Sequence, residues 1–187
     1  MAIKDAAVRL FEAFDFLSAA EMDRLIAEPS AELGDTRFAV GGGGFRSGLG
    51  AAEELGWIPF NRFPAAIAAS RINLNVTRRP HATVEGSSTA RLFELAACGA
   101  TIVSNPHEGI ERWFEPDSEL LVVTSSEEAV SAYEALLADP SEGQAMGERA
   151  RARVLDEHTY RHRARQLLEL LGLGSRATAV GASDQRT

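Results

Sequence analysis

From the start of the chain, apolar residues recur at intervals of three and four: Val8, Leu10, Phe11, Phe14, Leu17, Met22, Leu25 and Ile26, with Pro29 ending the run. That spacing gathers side chains on one helical face and predicts one or two lead-in helices. The pattern then changes to short apolar runs between turn residues. "RFAV" (37–40) reads as a strand entering the turn "GGGGFRSG", followed by a small helix around Ala51 to Leu55 and a candidate strand in "GWIPF". "FPAAIAAS" reads as a helix, "RINLNVTR" (71–78) as a strand, "STARLFELAACG" as a helix and "TIVSN" (101–105) as a strand. A short helix in "GIERWF" and a strand "ELLVVT" (119–124) follow. "SSEEAVSAYEALLADP" opens with Ser125 three residues before Glu128, a capping-box spacing, and stops at Asp139-Pro140. Two further helices are expected at about 141–156 and 159–171.

Strands alternating with helices imply an α/β fold, a Rossmann-like parallel sheet with helices on both faces. The expected division is lead-in helices over 1–35, the sheet domain over 36–171, and a tail over 172–187 with too few apolar groups to order itself. No internal repeat is visible. At 187 residues and 45% hydrophobic content, the chain suffices for one well-buried domain with appendages.

Charge and cysteine content narrow the function classes. The net charge of -8 argues against a general nucleic-acid binder, whose affinity comes from basic surface. No run approaches the roughly 18 apolar residues of a membrane span, and the charged start lacks a signal-peptide core. A cytoplasmic protein is expected, and the single cysteine, Cys98, fits a reducing compartment.

In a parallel sheet, ligands bind beyond the carboxyl ends of the strands. Two of those loops stand out. Gly41 to Gly44 allow positive φ and close backbone approach to a ligand, although the dinucleotide fingerprint is absent and a plain flexible turn is the alternative. "TRRPHATVEGSSTAR" concentrates Arg78, Arg79, His81 and Arg91 in one strand-to-helix connection of an acidic chain. Ser87 and Ser88 suit the N-cap of the following helix, whose free N–H groups would attract an anion, phosphate above all. Alternatively, the arginines are solvated or paired with acids such as Glu85. Glu94 lies three residues after Arg91 on one helical face. It is suited either to accept vicinal hydroxyls beside a phosphate pocket or to make a surface pair with Arg91. No Asp-x-Asp occurs.

"RLFELAACGATIVSN", "GIERWFEP", "INLNVTR" and "DEHTYRHRA" resemble the C-terminal domain of group 1 glycosyltransferases, most closely the CgeB-like, spore-maturation-type subgroup. The resemblance covers about residues 36–171. It implies one half of the GT-B architecture, the half that holds a nucleotide-sugar donor, with no cofactor and no bound metal. Glu94 matches the second glutamate of the family's E-x7-E pattern, implied to hold the donor ribose. The first would fall at Gly86, with Glu85 one position away. Arg78, Arg91, Ser88 and Thr89 are the implied donor phosphate contacts, Gly42, Gly43 and Gly44 the glycine-rich turn, and His81, Glu85 and Asn105 candidates for the sugar end. In "EHTY", His158 and Tyr160 are expected to cap or anchor the last helix. Catalytic residues are not assigned. A complete enzyme of this architecture has an acceptor domain of comparable size, so an acceptor domain or partner polypeptide is expected. A non-catalytic nucleotide or nucleotide-sugar binding module and an epimerase-like relative are the competing readings.

Overall fold

A computed structural model describes residues 8–11, 19–42, 48–77 and 79–173. Its centre is a six-stranded sheet: β1 Val8–Phe11, β2 Phe38–Gly41, β3 Glu53–Gly56, β4 Ile72–Asn75, β5 Ile102–Ser104 and β6 Leu121–Val122. Every pairing is parallel and the order is β3-β2-β1-β4-β5-β6. This is the doubly wound order, whose direction of winding reverses between β1 and β4 and opens a crevice there.

Two sequence expectations are corrected. Val8–Phe11 is not part of a lead-in helix but the innermost strand, with Val8 opposite both Phe38 and Ile72. Val-Arg-Leu-Phe is too short for its period to separate strand from helix, and its pairing with β2 and β4 decides the matter. The expected helix begins later, as α1 Ala19–Met22, and continues through a π-type turn (Asp23–Ala27) into α2 Glu28–Glu32. The second correction concerns 51–55, where the sheet edge β3 replaces the expected helix and "GWIPF" follows the strand instead of forming it. Its Glu-Glu-Leu composition favours a helix locally, but pairing to β2 overrides propensity, and Arg37 Nε bonds Glu53 Oε2 at 3.1 Å.

Most of the remaining elements fall where the pattern put them: α3 Phe63–Ala68, α5 Ala90–Ala97, a 3-10 turn Ile110–Arg112, α6 Ser126–Ala138, α7 Pro140–Glu157 and α8 Tyr160–Leu170, while a short α4 Arg79–Ala82 forms inside the stretch expected as a plain connection. Side-chain alternation along β4 divides the sheet's two faces. Ile72 and Leu74 join one core with Met22, Leu25, Ile26 and Tyr133 from the α1–α2 run and α6. Asn73 turns the other way, its amide donating to the Ile67 carbonyl of α3 at 3.4 Å. Tyr133 is fully buried, edge-on to Phe38, and donates its hydroxyl to Leu25 O at 2.9 Å. Burial also pushes its phenol pKa upward. Ser125 caps α6 through the Glu128 amide at 3.2 Å, while the Glu128 carboxylate reaches Thr124 N and Oγ1, both at 2.7 Å, instead of closing the box on Ser125.

The chain separates into two compact units, 1–151 and 152–187. In the second, Thr159 caps α8 with His162 in a capping box, and His158 Nδ1 meets Arg163. Tyr160 is 92% exposed, so it does not anchor the helix. The residues expected to form a disordered tail lie, from 174 onward, outside those described.

Candidate functional site

Around the crevice, the strand ends carry polar residues that burial would penalise unless they were paired. Asn75, Thr77, Ser104 and Asn105 are each no more than 2% exposed, and they satisfy one another. Asn75 Nδ2 donates to Thr77 Oγ1 at 3.1 Å and to Ser104 Oγ at 2.9 Å. Asn105 clamps the backbone of Thr77, accepting from its N–H at 2.6 Å and donating to its carbonyl at 2.9 Å. Asn105 was a candidate sugar contact. Instead, both ends of its amide are spent joining the ends of β4 and β5 beneath the surface.

The same network reaches the start of α5. Thr89 is the N-cap in extended conformation, yet its hydroxyl makes no capping bond and donates to Asn75 Oδ1 at 3.3 Å. Neither Ser87 nor Ser88 takes the N-cap position expected of it. Ser87 Oγ meets His81 Nδ1 at 3.1 Å, with His81 exposed, and Ser88 Oγ is buried with no hydrogen-bond partner among the described residues. One turn on, Arg91 lies 4.8 Å above the Phe63 ring and donates through Nε to Glu94 Oε2 at 3.3 Å. The Arg91 side chain is 18% exposed and that of Glu94 37%. The i, i+3 pair therefore forms, on the flank of the helix mouth.

At the glycine-rich turn, Gly42 has φ 122° and is buried, but its N–H is taken by Gly56 O at 2.8 Å, so it belongs to the sheet edge. Gly43, Gly44 and Arg78 lie outside the described residues. Glu85 is exposed and pairs with Arg112.

What sequence reasoning passed over is His107, in the loop "NPHEG" after β5. Here His107 is 6% exposed, with Nδ1 3.5 Å from Thr77 Oγ1 and Nε2 unpartnered among the described residues. Burial pushes its pKa down, opposed in part by its hydrogen bond to the Asn105 backbone and by Glu111. An apolar strand followed by a polar turn with one histidine was the available signal. With Ala82, Glu85, Glu108, Gly109, Glu111 and Arg112, His107 lines an open cavity of about 700 Å³. Gly109 sits at φ 75°, and a Cβ there would lie 2.8 Å from Gly86 N, so the two loops meet backbone to backbone. No group of three or more His, Cys, Asp or Glu among the described residues is arranged to hold a metal, and no helix among them is long and apolar enough to cross a membrane.

A doubly wound parallel sheet with a helix start beside its switch point is the Rossmann-like arrangement, and the same fold forms about half of several solved glycosyltransferase structures. The fold superposes on sucrose-phosphate synthase from Thermosynechococcus elongatus with a TM-score of 0.70 at 18% identity, over 95% of this chain and 47% of that one. T4 phage BGT, solved with its UDP-glucose substrate, matches at 0.68 and 13% identity, over 82% and 45%. HepE of Anabaena, solved with UDP-glucose, matches at 0.61 and 16% identity, over 97% and 50%. The chain thus spans about half the length of these structures. None of the curated proteins matches it in sequence. The model of the glycosyl transferase-like family matches residues 20–169, and the chain belongs to that family.

Proposed function

We propose that this chain is the donor-binding half of a glycosyltransferase, holding a nucleotide-diphosphate sugar over the carboxyl ends of β1 and β4. The observation that carries this reading is the juxtaposition of the β1/β4 reversal with the start of α5, where Thr89 is tied to Asn75 and Ser88 Oγ lacks a partner. Free N–H groups at a helix start favour a diphosphate. UDP-glucose in the HepE and T4 phage BGT structures supports that class of donor.

In this reading Ser88, Thr89, Arg78 and Arg91 face the diphosphate, and Glu94 accepts the ribose hydroxyls. A carboxylate has about four acceptor directions, so the Arg91 bond leaves room for them. Gly42 to Gly44 border the nucleotide, and His81 and Glu85 stand toward the sugar. Transfer breaks the bond between the anomeric carbon and the diphosphate oxygen while an acceptor hydroxyl forms the new bond and gives up its proton. The arginines and the helix start stabilise charge on the departing diphosphate without a bound metal. We place the chain in the CgeB-like branch and in the cytoplasm, with an acceptor domain supplied in the same protein or by a partner. Gly86 at the first glutamate position favours one second reading, a binding module that has lost transfer.

Calorimetric titration with UDP, GDP, ADP and dTDP and their hexose conjugates tests the proposal. One diphosphate should bind. By itself the chain should at most hydrolyse the donor slowly, and transfer of labelled sugar should appear when an acceptor domain is added, because proximity is gained only when both substrates are held. Failure of every nucleotide to bind overturns the proposal. Binding without transfer under any pairing selects the binding-module reading.

A further inference from the structure

We infer that α8 is a membrane-surface helix, whose exposed leucines enter the interface of an anionic lipid leaflet while Arg161 and Arg165 meet the headgroups. The inference stands apart from the donor-binding reading and draws on the second compact unit alone.

The apolar side comes first. A helix of this length draws most of its stability from burying an apolar face, yet no residue of α8 is buried. Leu167 and its C-cap Leu171 share one face, with Leu168 and Leu170 to either side; Leu170 is 86% exposed, and Leu167 and Leu171 are exposed with it. At about 100° per residue these four leucines cover roughly 160° of the helix circumference. That arc is broader than the seam along which two helices pair, and it suits a fluid surface into which the helix can sink. Tyr160, seven residues before Leu167 and on its face, brings an exposed ring with a polar tip, the kind of side chain that settles at a membrane–water interface. The helix is not long and apolar enough to cross a bilayer, so it would lie on one.

Charge comes second. In a chain of net charge -8, α8 carries three arginines against one acid, Glu169. Arg163 is spent inside the unit, on Gln166 Oε1 at 2.6 Å and on His158 Nδ1. Arg161 and Arg165 are exposed and have no partner among the described residues. They stand four residues apart, in line with Leu168, and so form a row along one border of the leucine arc. Their stems can lie along apolar surface while the guanidinium groups reach lipid phosphates. Glu169, two residues from both Leu167 and Leu171, points to the opposite side of the helix and away from the surface. An acidic protein face would also answer the two arginines, but the breadth of the leucine arc favours lipid.

The test sediments the full chain with vesicles of phosphatidylcholine alone and with vesicles of phosphatidylcholine and phosphatidylglycerol in equal parts. The mixed vesicles should bind at least about tenfold tighter, and less so as salt screens the headgroups. Because the chain as a whole is acidic, only a local basic face gives that preference. Arg161→Gln with Arg165→Gln should weaken binding to the mixed vesicles by about tenfold or more, and Leu170→Gln with Leu171→Gln by about as much. All four positions are exposed, so both variants should keep the native melting temperature. Trp57→Gln with Phe60→Gln, which alters exposed aromatic residues of the first unit, should leave vesicle binding within about twofold. Absence of binding to the mixed vesicles overturns the inference and gives the leucine face to a protein partner. Equal binding to both kinds of vesicle, or folded arginine or leucine variants that bind as the native chain does, overturns it as well.

Discussion

Thr89 gives its hydroxyl hydrogen to the amide oxygen of Asn75 across 3.3 Å, so the residue that starts α5 is held by the last residue of β4. The side chain that would ordinarily cap the helix is thereby diverted to the strand, and the helix start is positioned against the sheet's switch point. Asn75→Leu should cost about 1–3 kcal/mol, since it removes the donor to Thr77 Oγ1 and Ser104 Oγ and the acceptor of the Thr89 hydroxyl. Thr89→Val should lose about 1 kcal/mol, whereas Thr89→Ser should lose much less because it keeps the hydroxyl. Urea unfolding of the three variants measures both; a Thr89→Val as stable as Thr89→Ser would show that the bond contributes nothing.

Glu94→Gln should weaken nucleoside diphosphate binding by about 1–3 kcal/mol, because an amide cannot match charge-assisted bonds to two ribose hydroxyls. Unchanged nucleotide affinity in a folded Glu94→Gln removes the ribose role.

Deleting residues 1–35 should abolish cooperative folding. The deletion removes the strand between β2 and β4 together with Met22, Leu25 and Ile26, each no more than 2% exposed. A calorimetric melt of 36–187 should show no sharp transition, and a sharp one near the full-length temperature would contradict the central placement of β1.

Gly147→Ala should destabilise by about 1–3 kcal/mol through overpacking. A Cβ there would collide with the Gly99 carbonyl and lie 2.9 Å from Ala100 O, both backbone atoms with little freedom to move. Thermal melts of this variant and of Gly34→Ala, where a Cβ meets nothing within 4 Å, give the comparison.

His107 should make stability pH-dependent. Burial lowers its folded pKa below the unfolded value of about 6.5, so below that value the unfolded chain binds more protons and stability falls as pH falls. The contribution is full above about pH 6.5 and is lost on acidification through the folded pKa. Carboxylates held low by hydrogen bonds, Glu127, Glu128 and Asp139, act only at lower pH. Melting temperatures between about pH 7 and 5 should therefore drop less in His107→Asn than in the native chain.

Much of this protein is legible without coordinates. The helix-strand alternation from "FPAAIAAS" onward, the Ser125 start of α6 and the place of Glu94 beside Arg91 follow from local period, capping chemistry and i, i+3 spacing, all short-range properties of the chain. Four matters were settled only by tertiary contact. Val8–Phe11 is a strand because β2 and β4 flank it, and Glu53–Gly56 is one because β2 pairs with it. Asn105 serves the fold because the ends of β4 and β5 are adjacent, bringing it to Thr77 from 28 residues away. Likewise the cavity over His107 exists only where two loops, far apart in sequence, meet at Gly86 and Gly109. Local pattern carries the energetics of a residue and its near neighbours; which strands lie side by side, and which polar groups are consequently buried together, depends on long-range pairing that no local period encodes.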